Sequence, residues 1–130
     1  MAKSCKFCSI YGEHKERLLC ETSFFYSIID RNPISQGHSL IISKRHVVSL
    51  FDLRTAEWAN LKLALKKTTK AISTKNKTDK KIGGYNFGIN DGKIAGRTIG
   101  HLHMHVIPRY AGDVANPRGG VRNIFKKGAN

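Results

Sequence analysis

Acidic residues are scarce in this chain: nine Asp and Glu stand against 23 Lys and Arg, a formal net charge of +14 over 130 residues. So basic a balance points to anionic partners, whether longer polyphosphates or nucleic acid contacted without sequence preference. Long apolar runs are missing as well. No stretch approaches the roughly 20 residues needed to cross a bilayer, which excludes a transmembrane helix. The opening MAKSCKFC has no apolar segment of signal-peptide length. The expected location is cytoplasmic, with no membrane partner. Cysteine is rare and odd in number, at Cys5, Cys8 and Cys20, which argues against a disulfide framework and fits a reducing compartment. Internal repeats and linker-like stretches are absent. A single domain over 1–130 is expected, its last part from about 111 to 130 an arm without core periodicity. An apolar content of 40% suffices for one core.

The chemistry is concentrated in GHLHMHVIPRY, residues 100–110. His101, His103 and His105 alternate with Leu102, Met104 and Val106, so in a β-strand the imidazoles share one face and the apolar side chains the other. Same-face neighbours sit roughly 6 to 7 Å apart, close enough to act together. Metal ligation, proton transfer and nucleophilic attack are all within reach of an imidazole near neutral pH. The histidine face should be wet and the other buried. Pro108 should end the run or confine it to an edge, since it cannot donate to a sheet ladder.

The rest of the chain supplies a scaffold. After an exposed charged stretch, HKERLL, the residues Ser23 to Asp30 read as a strand, and turn chemistry at Arg31-Asn32-Pro33 and Gln36-Gly37 separates them from a second strand over His38 to Ser43. Lys44-Arg45-His46 closes that strand and leaves a histidine at its far end. From Thr55 to Ile72 the period becomes helical, with Leu61, Leu65, Thr68 and Ile72 on one face, Trp58 adjoining it, and Lys62, Lys66 and Lys70 on a solvated face. Asp52 or Thr55 is the expected cap. Residues 73–81 read as a basic loop, Tyr85 to Asn90 as a strand, and Asn90-Asp91-Gly92 as a turn leading to the histidine strand. With a short helix or turn near the start, this order predicts an α+β fold: a mostly antiparallel sheet with one long helix on a face.

Cys5 and Cys8 form a Cys-x-x-Cys pair that reads as a zinc half-site, a redox pair or a coincidence. Its position favours zinc, because a redox pair should follow a strand and open a helix within a βαβ unit. Cys20 is expected to be a small buried hydrophobe.

The run HLHMHVI fits the pattern His-φ-His-φ-His-φ-φ, with φ apolar, and so resembles the histidine-triad superfamily of nucleotide hydrolases and transferases. The likeness extends to KFCSI, IIDRNPISQGHSLIISKRH and INDGKIAGRTIGH, and PRYAGDVANPRGGVR is similar to the zinc-containing branch of dinucleoside polyphosphate hydrolases. The resemblance implies that His103 is the nucleophile, attacking an α-phosphorus to form a nucleotidyl-histidine. It implies that His105 binds a phosphate oxygen and assists the leaving group. It implies a zinc site of Cys5, Cys8, His46 and His101, phosphate contacts from Asn90 and Thr98, ribose contacts from Asp30, and a base pocket of Phe7, Ile10 and Ile29. Such a four-ligand site is closed, so the zinc would be structural.

The chain departs from the pattern at Arg97, where most relatives carry a glutamine that binds phosphate, and Arg97 is expected to take that nucleotide-binding place. Arginine keeps donor capacity but loses the acceptor. Diadenosine polyphosphates are the expected substrates. The alternatives are a nucleoside phosphoramidase or nucleotidyl-sulfate hydrolase using the same residues, and a basic nucleotide- or nucleic-acid-binding module with weak catalysis. A catalytic zinc on the three triad histidines would leave Cys5 and Cys8 idle. The resemblance also implies a homodimer, with Trp58, Leu61 and Leu65 as apolar material for the seam.

Overall fold

The computed structural model describes residues 4–76 and 80–125. Five strands form one antiparallel sheet: β1 (Leu18–Glu21), β2 (Phe25–Ile29), β3 (Ser39–Ser43), β4 (Gly84–Gly88) and β5 (His103–Arg109), in the order β1-β2-β3-β5-β4. A short helix α1 (Lys6–Glu13) and a long helix α2 (Thr55–Lys75) complete the α+β fold.

The two faces of the sheet follow from alternation. Phe25, Ile41, Leu102 and Val106 point to one side, where Leu61, Ala64 and Ile72 of α2 cover them. Tyr26, Ile28, Leu40 and Ile42 point to the other, where Phe7 and Ile10 of α1 cover them. The Tyr26 hydroxyl donates to the Phe7 carbonyl at 2.5 Å and ties α1 down. Because both faces are covered, β2 and β3 are buried almost throughout, as strands packed on both sides must be.

The same covering corrects the expectation of a wet histidine face. Leu40 pairs with His105 and Ile42 with His103, so the triad faces the α1 side. There His101 is fully buried and His103 only 8% exposed. β5 also runs through Pro108 instead of stopping at it. Its pairing with β3 ends at Val106, so at Pro108 one flank has no partner strand and the missing N–H can be tolerated there.

Several other expectations shift. The stretch read as exposed charge ends in the first two residues of β1, a four-residue edge strand with an irregular register at Leu18 to Cys20. The strands at 23–30, 38–43 and 85–90 are each trimmed or displaced at their ends. Helix α2 runs three residues past Ile72, and neither Asp52 nor Thr55 caps it: Glu57 reaches back to accept from the Arg54 backbone N–H at 2.8 Å. Asp52 instead accepts from the Ser49 N–H and closes a 3-10 turn. Leu61 is buried in the core of the chain's own sheet and Leu65 is half-buried, which leaves Trp58 as the one exposed residue of the expected seam. Lys62, Lys66 and Lys70 are solvated as expected. Cys20 is half-buried beside hydroxyls, 3.1 Å from Ser27 Oγ and 3.5 Å from Thr68 Oγ1, and so is no purely apolar filler. Of the basic loop, 77–79 lie outside the described residues, as do 1–3 of the opening segment and 126–130 of the arm. Among the described residues no helix is long and apolar enough to cross a membrane.

Candidate functional site

Two sites adjoin on the α1 side of the sheet, and His101 belongs to the first. The turn entering α1 presents Cys5 and Cys8, the loop after β3 presents His46, and His101 stands just ahead of β5. The Cys5 Sγ lies 3.3 Å from His101 Nδ1, the Cys8 Sγ 3.2 Å from His46 Nδ1 and 3.6 Å from His101 Nδ1, and the two Nδ1 atoms are 3.1 Å apart. A tetrahedral zinc with bonds of about 2.0 to 2.3 Å needs ligand atoms roughly 3.3 to 3.8 Å apart, so the cluster fits one ion. The imidazole chemistry agrees. His101 Nε2 is 2.6 Å from the Ser43 carbonyl and must donate to it, which leaves the Nδ1 lone pair for the metal. Burial pushes the Cys8 thiol up to about 11, so a thiolate there calls for a cation beside it. His46 is held in place through its neighbour: Arg45 donates to both oxygens of the buried Glu57 on α2, at 3.0 and 2.8 Å, and its guanidinium holds that carboxyl well below the usual range.

The second site is a cavity of about 300 Å³ between α1, β2, β3 and the loop before β5. His103 and His105 line it, with Asp30, Asn90, Thr98, Phe7 and Ile10. The Phe7 ring meets His103 edge-on at 5.0 Å between centroids. Asn90 is steadied by its neighbour Asp91, which accepts from the Ser49 hydroxyl at 2.8 Å and the Leu50 N–H at 3.0 Å.

The backbone and a fourth histidine set the tautomers. His103 Nδ1 is 2.7 Å from the His101 carbonyl and must donate to it, so the lone pair resides on Nε2. His38, at the mouth of β3 and 3% exposed, accepts from the Ile34 N–H at its Nδ1 and therefore carries its proton on Nε2. That Nε2 lies 3.0 Å from His105 Nδ1 and 3.4 Å from Asp30 Oδ2. By donating to His105 Nδ1 it places the His105 proton on Nε2. Burial lowers the pKa of both His38 and His105, while the Asp30 carboxylate opposes the shift. Asp30, His38 and His105 also cluster closely enough for a cation. A metal on His38 Nε2 would, however, force its remaining proton against the Ile34 N–H, so the trio is a hydrogen-bond relay.

Two residues expected at the cavity lie elsewhere. Ile29 does not line it; Ile28 and Leu40 do, because Ile28 and Asp30 share a strand face and Ile29 points to the opposite one. Arg97 is not among the lining residues either. Gly96 adopts φ +103 and lines the cavity, as does Thr98, and Arg97 between them does not. Sequence reasoning missed Lys6, Arg17 and Arg31 at the cavity and missed His38. The lysine and arginines carry no spacing signal. His38 begins a segment already read as a strand, and a lone histidine there has no pattern to mark it.

Comparison with known proteins accords with this geometry. The profile of the HIT domain matches residues 11–112. An uncharacterised HIT-like protein of Methanocaldococcus jannaschii is 35% identical over 112 residues, covering 84% of this chain and 81% of that protein. An adenosine 5′-monophosphoramidase of Candida albicans is 36% identical over 107 residues, covering 82% of this chain and 70% of the enzyme. A zinc-bound histidine triad family protein from Mycobacterium smegmatis superposes with a TM-score of 0.72 at 34% identity, covering 87% of this chain and 80% of that one.

Proposed function

Since the chain belongs to the HIT domain family, we propose that it hydrolyses nucleoside 5′-phosphoramidates at the α-phosphate through a nucleotidyl intermediate on His103. The observation that carries this reading is the pair of fixed tautomers. The His101 carbonyl holds the His103 proton on Nδ1 and leaves Nε2 free to attack, while His38 holds the His105 proton on Nε2, where it serves the departing atom. Support also comes from the fungal relative named as a monophosphoramidase.

The steps balance. His103 Nε2 bonds to phosphorus, and the P–N bond breaks with its electron pair on nitrogen, which takes the Nε2 proton of His105 in its imidazolium form and leaves that ring neutral. The positive charge acquired by nucleotidyl-His103 then faces a neutral His105, at 5.4 Å between centroids. Water then attacks phosphorus and returns a proton to His105 Nε2, releasing the nucleoside monophosphate and restoring His103. Phe7, Ile10, Ile28 and Leu40 would hold the base, Asp30 the ribose, and Asn90 and Thr98 the phosphate. Cys5, Cys8, His46 and His101 would hold zinc as a structural staple with all four positions taken by protein.

Dinucleoside polyphosphates are the second reading, favoured by Lys6, Arg17 and Arg31 at the cavity, which suit a longer anionic chain. Trp58 on α2 and Phe87 on the edge strand β4 are 47% and 43% exposed, and a homodimer would cover them. Brief exposure of the protein to a nucleoside phosphoramidate, followed by denaturation in alkali, which preserves a phosphorus–nitrogen bond, and peptide mass mapping, should place a nucleotidyl group on His103. His103→Ala should lose turnover by several orders of magnitude. A parent-like rate in that variant sinks the mechanism.

A further inference from the structure

Beyond His105 lies a second cavity of about 390 Å³, and its chemistry differs from the first. It shares Asp30, Asn32, Asn90 and His105 with the nucleotide cavity but excludes His103 and adds Ile34, His38, Gly88 and Ile107. A nucleoside phosphate attacked by His103 from the first cavity must expel its leaving group away from His103, past His105. The second cavity lies on that side of His103, bordered by His105.

None of its eight lining residues is Lys or Arg, in a chain that has 23 of them, and one is Asp30. A polyphosphate leaving there would meet a carboxylate and no cation. Its walls are instead apolar. Ile107 continues the face of β5 that carries His103 and His105, two residues on. Ile34, 74% exposed, stands across from it on the loop before β3. Gly88 pairs with His105 across β4 and β5, and a Cβ there would meet nothing within 4 Å, so the glycine keeps the space open. The next basic residue on the same face, Arg109, is already engaged: Asp113 accepts from it at 2.7 and 2.9 Å and Asn86 at 2.7 Å. It is not free to receive an anion.

We infer that this cavity is the leaving-group subsite, and that Ile34 and Ile107 make it specific for hydrophobic amines over anionic leaving groups. The inference rests on the phosphoramidase reading and narrows it to phosphoramidates whose nitrogen carries an aliphatic or aromatic group. An uncharged alkyl or aryl amine buries its surface against the two isoleucines as phosphorus is attacked. A diphosphate or a carboxylate-bearing amine is repelled by Asp30 and loses its hydration without compensation.

The test is a series of adenosine phosphoramidates made with ammonia, a benzyl-type amine, and an amine of similar size and basicity bearing a carboxylate, with diadenosine tetraphosphate as a fourth substrate. kcat/KM is measured for the parent, Ile107→Ala and Ile34→Lys. In the parent the aromatic amide should exceed the carboxylate-bearing one by about tenfold or more, since shape and apolar contact in such pockets discriminate on that scale. Ile107→Ala should shrink that ratio severalfold. Ile34→Lys, at an exposed position that leaves the core intact, should shrink it too and raise the relative rate on the tetraphosphate. Equal rates on the aromatic and carboxylate-bearing amides in the parent, or a ratio unmoved by Ile34→Lys, overturns this inference alone. Absence of turnover on all the phosphoramidates, together with no adduct on His103, overturns the phosphoramidase reading and this inference with it.

Discussion

His38→Leu tests whether the relay behind His105 matters, because leucine has a similar bulk and removes only the polar contacts of the ring, to Ile34, His105 and Asp30. In the folded chain His38 receives the Ile34 N–H at 3.2 Å and faces His105 Nδ1 at 3.0 Å. Its loss leaves His105 free to move its proton to Nδ1, the wrong side for the departing nitrogen. One buried hydrogen bond left unmade costs about 1 to 3 kcal/mol. If that cost falls on the transition state, kcat should drop about 5-fold to 150-fold, well short of the loss expected for His103→Ala. Burial holds His38 and His105 below the ordinary histidine range, so both are neutral at pH 7. As pH falls toward those lowered values a larger share of His105 carries the second proton it donates, so adduct formation in the parent should quicken as pH is taken below about 6.5. The measurement is single-turnover formation of the His103 adduct across pH, with thermal melting to confirm folding. An intact variant with kcat within twofold of the parent refutes the relay.

Three further outcomes are expected. Purified protein should carry roughly one zinc per chain by metal analysis, and Cys5→Ala should lose it and lower Tm by about 10 °C or more; an undiminished Tm in the metal-free variant would remove the structural role. Sedimentation at micromolar concentration should give a dimer, with Trp58→Asp shifting it toward monomer, whereas a parent sedimenting at the 14.5 kDa of one chain ends that proposal. Because Arg97 does not line the nucleotide cavity, Arg97→Gln should resemble Lys66→Gln, with a small effect on kcat/KM that moderate salt erases. A loss of tenfold or more on polyphosphates that persists in salt would place the guanidinium at the phosphates.

What the sequence made legible was what its periodicity encodes. The alternation of His101, His103 and His105 with Leu102, Met104 and Val106 announces a strand with two chemistries, and the structure has that strand from His103 onward, with His101 and Leu102 just ahead of it. Cys5 and Cys8 at helical-turn spacing signal a ligand pair, and His46 and His101 meet them. Residues whose role depends on the third dimension were harder to read. Two adjacent isoleucines, Ile28 and Ile29, look alike until the strand's register is known, and that register is fixed by pairing Ile28 with Leu40. Leu61 looked available for a partner because a helical stripe does not say which sheet will cover it. His38 contributes through one backbone N–H and one distant imidazole, contacts between segments that no local pattern records.

His101 acts in two directions with separable parts. Its ring joins the sulfur cluster, while the acceptor that orients His103 is its main-chain carbonyl. Every amino acid carries that carbonyl. A descendant of this chain could therefore exchange the imidazole at 101 for another side chain, provided packing alone came to secure the segment, and still inherit a correctly oriented nucleophile. Ancestry would then preserve the second histidine of the triad more strictly than the first, since only the first has its role in the chemistry written in the backbone.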